Sequence, residues 1–160
     1  MVTIRIVAGA GTGPTPVAAF DTALTAVGAE RFNLVRLSSV IPTAATLNEA
    51  EDLSDLGAIG DRLHVVQASV TVEAGMHGCA GLRWTRTVEG SGLFYEEVST
   101  GADAESVVSS RLDDGIEHGL ALRSWSPATG GSKLSTVTAE DDAYGCAVVL
   151  AAYGQANDRW

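Results

Sequence analysis

The chain has 160 residues, 46% of them hydrophobic and 19% charged. That composition suits one globular domain (1–160) with a buried core and excludes a disordered chain. Its formal net charge is −10 and its 10 Lys and Arg are scattered, so the clustered positive charge that nucleic acid requires is missing.

No apolar run reaches the roughly 18 residues of a membrane helix. The start, Met1-Val2-Thr3-Ile4-Arg5, does not read as a signal peptide. The expected compartment is the cytoplasm, with no membrane partner.

Thr3 to Ala8 alternates polar and apolar residues and predicts the first strand. Gly9-Ala10-Gly11-Thr12-Gly13-Pro14 predicts a glycine-rich connection. It lacks the Gly-Lys-Ser/Thr ending of a nucleotide loop, and no acidic residue closes the next strand. Thr15 and Pro16 are a helix N-cap and first position. The helix is expected to run to about Val27, with Val17, Phe20, Leu24 and Val27 on one face and Gly28 as its stop.

Phe32 to Leu37 predicts a second strand that ends in Ser38-Ser39. Pro42 to Leu56 reads as an irregular acidic excursion. Strands are expected over Arg62–Glu73, Gly78–Thr87 and Gly92–Val98, the last two joined by a hairpin-type connection. A second helix is expected over Ala102–Leu120, a short strand over Ala121–Ser126, and a turn at Gly130-Gly131-Ser132. Lys133–Thr138 and the apolar Tyr144–Tyr153 complete the list of strands. Two helices and long β runs make an α+β fold.

Few residues stand out for chemistry. His64, His77 and His118 have no metal-type spacing, and Cys79 and Cys146 read as two buried thiols, so no metal is expected. Ser38-Ser39 on its own is ordinary loop chemistry. Glu96 and Glu97 look like a strand end, and as neighbours they point to opposite faces.

The order of motifs adds more. Gly11-Thr-Gly-Pro-Thr-Pro16, Asp21 and the block Asn33-Leu-Val-Arg-Leu-Ser38-Ser39-Val-Ile-Pro42 resemble the pyruvoyl-dependent arginine decarboxylase family. Gly92-Leu93-Phe94-Tyr95-Glu96, Leu122-Arg123-Ser124-Trp125 and Gly145-Cys146-Ala147 resemble later segments of it, in the same order.

The resemblance implies a four-layer αββα sandwich, self-cleaved between Ser38 and Ser39 into chains 1–38 and 39–160. It implies a covalent pyruvoyl group made from Ser39, with no pyridoxal phosphate. The Ser39 hydroxyl would attack the Ser38 carbonyl, and elimination would free Ser38 as a new C-terminus.

The amino-acid substrate, most simply L-arginine giving agmatine, would then join the pyruvoyl group as a Schiff base and lose CO2. By the same resemblance Glu96 is the proton donor, Asp21 binds the cationic end of the substrate, Asn33 sits near the reacting centre, and Leu24 lines the aliphatic part of the pocket. The assembly implied is a homotrimer or dimer of trimers with sites between subunits. One departure bears on the substrate: Gly28-Ala29-Glu30-Arg31-Phe32 holds Glu30 where the family commonly has glycine. It leaves open another amino-acid substrate, or a silent or unprocessed member acting as a binding module.

Overall fold

A computed structural model describes residues 1–158. Nine strands and two helices follow the order β1 (Thr3–Gly13), α1 (Pro16–Thr25), β2 (Asn33–Arg36), β3 (Val40–Ile41), β4 (Thr46–Glu49), β5 (Arg62–Val72), β6 (His77–Arg86), β7 (Gly92–Thr100), α2 (Ala104–Arg123), β8 (Thr129–Thr138) and β9 (Tyr144–Tyr153). The fold is α+β. The strands form two sheets, ordered β2-β5-β9-β1-β4 and β3-β7-β6-β8.

The largest apolar cluster joins Ile4 and Ile6 of β1, Val66 and Ala68 of β5 and Val149 of β9 to Leu82 of β6 and Phe94 of β7. It therefore lies between residues of both sheets. β9 carries eight consecutive buried residues, Gly145 to Ala152, as a strand covered on both faces must. Helix α1 packs on β1, β9 and β5, and α2 packs on β6 and β7.

Strand β1 runs five residues beyond the expected Ala8. The glycines are strand residues with a packing reason. A side chain at Gly11 would start 2.7 Å from the main-chain nitrogen of Ala23, and one at Gly13 would start 2.7 Å from that of Ala19. Bare strand backbone lets α1 sit down directly on β1. The same closeness shifts the helix face. Ala19, Ala23 and Leu24 are the buried positions of α1, whereas Val17, expected on the apolar stripe, is exposed.

Three further expectations are corrected. The region 42–56 contains β4, a parallel partner of β1, and a 3-10 turn at Ser54–Leu56. No strand occupies Ala121–Ser126: α2 continues to Arg123 and stops at Ser124, whose φ of 53° is left-handed. Gly130 and Gly131 lie inside β8, where Trp84 leaves no room for a side chain on either residue.

The connection between β2 and β3 has the most bearing on function. β2 pairs with β5 in the five-stranded sheet, while β3 pairs with β7 in the four-stranded sheet. The chain therefore passes from one sheet to the other within Leu37-Ser38-Ser39. Leu37 N–H still donates to the Val65 carbonyl, and Phe94 N–H donates to the Ser39 carbonyl, both at 2.8 Å. Both ends of the crossover are thus tied, one to each sheet.

Candidate active site

Ser39 has φ 44°, one of two non-glycine residues in the described chain with positive φ. That conformation costs an L-residue about 1–2 kcal/mol. Here the flanking ladder bonds hold it in place. The Ser39 hydroxyl donates to Oε2 of Glu96 at 3.1 Å. Glu96 and Glu97 do not end their strand as expected, because β7 continues to Thr100.

Ser38, Ser39, Tyr95, Glu96, Glu97 and Arg123 line a cavity of about 490 Å³. Its floor is apolar, with Leu93 and Phe94 buried beneath it. Phe94 meets the Tyr153 ring edge-on at 6.2 Å, and the Tyr153 hydroxyl donates to the Val40 carbonyl at 3.0 Å. Burial, and then the nearby Glu96 carboxylate, hold the Tyr153 phenol well above its ordinary pKa. It stays a donor and pins the residue that follows Ser39.

The remaining expected site residues stand elsewhere in the chain. Asp21 is exposed on α1, and Leu24 is buried in the cluster that joins α1 to Phe32 and Leu63. Asn33 begins β2, where its side-chain amide donates to the Gly60 carbonyl at 2.7 Å. Asn33 and Ser39 lie six residues apart along a largely extended segment, about 20 Å of chain at full extension. Among the described residues, no hydrogen bond or ion pair joins Asp21, Leu24 or Asn33 to Ser39 or Glu96. Glu30, at the departing position, is exposed between α1 and β2.

Sequence reading gave no role to Tyr95, Tyr153 or Arg123. Tyr95 and Arg123 carry a signal only as members of the segments Gly92–Glu96 and Leu122–Trp125. The Nη1 of Arg123 donates to the Gly119 carbonyl at 3.1 Å, and its guanidinium lies 5.7 Å from the centre of the Trp125 ring.

A hydroxyl bonded to a carboxylate can lose its proton as it attacks a carbonyl. Ser39 has such a carbonyl in the preceding residue, on a strained crossover beside a cavity. The crossover thus brings a hydroxyl, a carboxylate able to take its proton and a peptide carbonyl together beside a cavity. The family model described as pyruvoyl-dependent arginine decarboxylase matches residues 3–158. Proteins named pyruvoyl-dependent arginine decarboxylase in two strains of Halobacterium salinarum are each 37% identical over 154 residues, covering 96% of this chain and 95% of the relative. One of the same name from Methanococcus vannielii is 30% identical, covering 94% and 88%. The chain belongs to the pyruvoyl-dependent arginine decarboxylase family.

Proposed function

We propose that this protein cleaves itself between Ser38 and Ser39, carries a pyruvoyl group derived from Ser39, and decarboxylates L-arginine to agmatine. The observation that carries the proposal is the Ser39 hydroxyl on Glu96, at positive φ, next to the Ser38 carbonyl. The name carried by the relatives supports arginine as the substrate.

The processing chemistry follows from the residue types. Attack of Ser39 Oγ on the Ser38 carbonyl carbon forms an ester and breaks the peptide C–N bond. The hydroxyl proton ends on the freed Ser39 nitrogen. Removal of the Ser39 α-proton then forms the Cα–Cβ double bond and expels Ser38 as a carboxylate. Water replaces the nitrogen at the Ser39 α-carbon as a ketone, and ammonia leaves. Glu96 is positioned to take the hydroxyl proton.

The residues at hand suit a pyruvoyl group at position 39. Its source, a β-hydroxyl one residue after a carbonyl, is present, and a cavity opens on it. When formed, the group supplies an electron sink for the pair left by CO2. The chain's own residues do the rest. The apolar floor of Leu93 and Phe94 limits water at the reacting carbon, and Glu96 holds the proton that the carbon receives. A carboxylate such as Asp21 matches a guanidinium in charge and in fork geometry.

The two products remain together by strand pairing. The 1–38 chain contributes β1 and β2, which pair with β9, β4 and β5 of the 39–160 chain. The helices flanking two facing sheets support a four-layer αββα sandwich. The separation of Asp21, Leu24 and Asn33 from Ser39 and Glu96 supports a site shared between subunits of a homotrimer or dimer of trimers. Asp21 and Asn33 of one protomer would then complete the cavity of its partner. The cytoplasm suits such an enzyme, and no helix of the described chain is long and apolar enough to cross a membrane.

Intact mass of the denatured protein tests the proposal. Wild type should give a 39–160 fragment lighter by one ammonia than the same fragment beginning with serine, whereas Ser39→Ala should stay one chain. A wild-type chain that never splits would overturn it.

A further inference from the structure

The cavity around Ser39 contains an imbalance of charge. Glu96 and Glu97 line it, and processing adds a third negative group, the new Ser38 carboxylate. Ser38 is itself part of the wall. A leaving carboxylate that emerges into a cavity already lined by carboxylates is a poorer leaving group unless a cation meets it. Arg123 is the one basic side chain among the described residues that line this cavity.

Arg123 also has donors to spare. It forms no ion pair among the described residues, and its recorded polar contact is the single bond from Nη1 to the Gly119 carbonyl. A guanidinium has five N–H donors. The side chain is exposed, with two neighbours that favour its position. Trp125 faces the guanidinium, and the helix C-terminus at Ser124 fixes the backbone. A cation at the last turn of a helix is also favoured by the negative end of the helix dipole. Arg123 and Ser38 line the same cavity, so a cation stands in the wall of the space in which an anion must appear.

We infer that Arg123 is the counter-charge for self-processing: it receives the carboxylate of Ser38 as the ester between Ser38 and Ser39 breaks, and afterwards holds that new C-terminus away from the Ser39-derived group. The inference rests on the processing reading above. The step balances. A base takes the Ser39 α-proton, the Cα–Cβ double bond forms, and the Cβ–Oγ bond breaks with its electron pair leaving on the Ser38 carboxylate, which Arg123 neutralises. Capture of that carboxylate also disfavours its return and clears the mouth of the cavity for substrate.

The test compares wild type, Arg123→Gln and Arg123→Lys, made by cell-free translation and followed by intact mass. Arg123→Gln keeps a donor for the Gly119 carbonyl and removes the charge. Release of the 1–38 chain should slow by about tenfold or more in Arg123→Gln. Arg123→Lys, which keeps the charge, should recover part of the rate. The ester should accumulate in Arg123→Gln. Hydroxylamine reveals it, because it cleaves an ester at Ser38 and leaves a 39–160 chain that begins with serine.

Three results overturn the inference: both variants process at the wild-type rate, processing slows without a hydroxylamine-sensitive ester, or Lys restores nothing while both variants stay folded by circular dichroism. Normal processing with a raised KM for arginine would also overturn it and assign Arg123 to the substrate carboxylate. Wild type that does not split defeats the processing reading itself, a result distinct from all of these.

Discussion

The Ser39 hydroxyl donates to Glu96 across a gap of 57 residues in sequence, at 3.1 Å, from a backbone with φ 44°. Two sheets make this meeting. Ser39 ends the crossover from β2 to β3, and Glu96 stands on β7, the strand that pairs with β3. The hydroxyl, the carboxylate and the preceding carbonyl are therefore positioned by main-chain ladders and not by surface loops.

Glu96→Gln should keep the fold and lose most of the turnover. The amide can still accept from Ser39 but cannot deliver a proton. General acid–base help contributes about 10²–10⁴-fold, and the loss in kcat should fall in that range. Steady-state CO2 release, measured on the processed fraction, checks it.

Complementation tests the shared site. Asp21→Ala and Glu96→Gln chains should each be nearly inactive alone. Mixed after gentle dissociation and reassembly, they should regain a fraction of wild-type activity, because some sites then combine the intact Asp21 of one protomer with the intact Glu96 of another. Activity that stays at the level of the separate variants contradicts a site built from two protomers.

Gly11→Ala should destabilise the protein by about 1–3 kcal/mol. The added methyl would start 2.6 Å from the Thr22 side chain and 2.7 Å from the Ala23 nitrogen, so α1 has to lift from β1. Urea unfolding should show the loss, and Thr12→Ala, one residue along the same strand, serves as the control.

The thiols should be silent at neutral pH. Burial, and then the Glu105 carboxylate, push Cys79 from the ordinary 9.0 up to about 11, and burial raises Cys146 as well. A thiol reagent at pH 8 should react with the unfolded chain and not with the native one. The sign for stability follows. The folded pKa of Cys79 is raised, so its contribution is complete below pH 9.0 and is lost as pH climbs from there to about 11. Denaturant midpoints should fall across that window, and Cys79→Ala should flatten the fall.

Much of the β structure was legible because strands buried on one face alternate and strands buried on both are continuously apolar, as Tyr144–Tyr153 illustrates. What failed were the glycines. Gly9, Gly11, Gly13, Gly130 and Gly131 look like loop residues, yet each lies in a strand where α1 or Trp84 presses close. Single-chain periodicity does not register a neighbour's approach. It also missed the two-residue β3, which is defined by its ladder with β7.

The site was legible only in part. Ser38, Ser39 and Glu96 could be named from motif order, but their meeting depends on which strands pair. Asp21, Leu24 and Asn33 came from the same motifs, yet within one chain they stay at α1 and the start of β2. Arg123 was hidden because Ala121–Ser126 reads as a short strand, whereas α2 in fact continues to Arg123. Its place in the Ser39 cavity depends on how α2 packs on β7.

The most direct test of the account is the mass of the 39–160 fragment after incubation with L-arginine and cyanoborohydride, followed by denaturation. The account predicts an arginine-derived adduct at the N-terminus of that fragment, absent without substrate and absent in Ser39→Ala. An intact 160-residue chain, or a 39–160 fragment that takes up no adduct while CO2 is released, would contradict it.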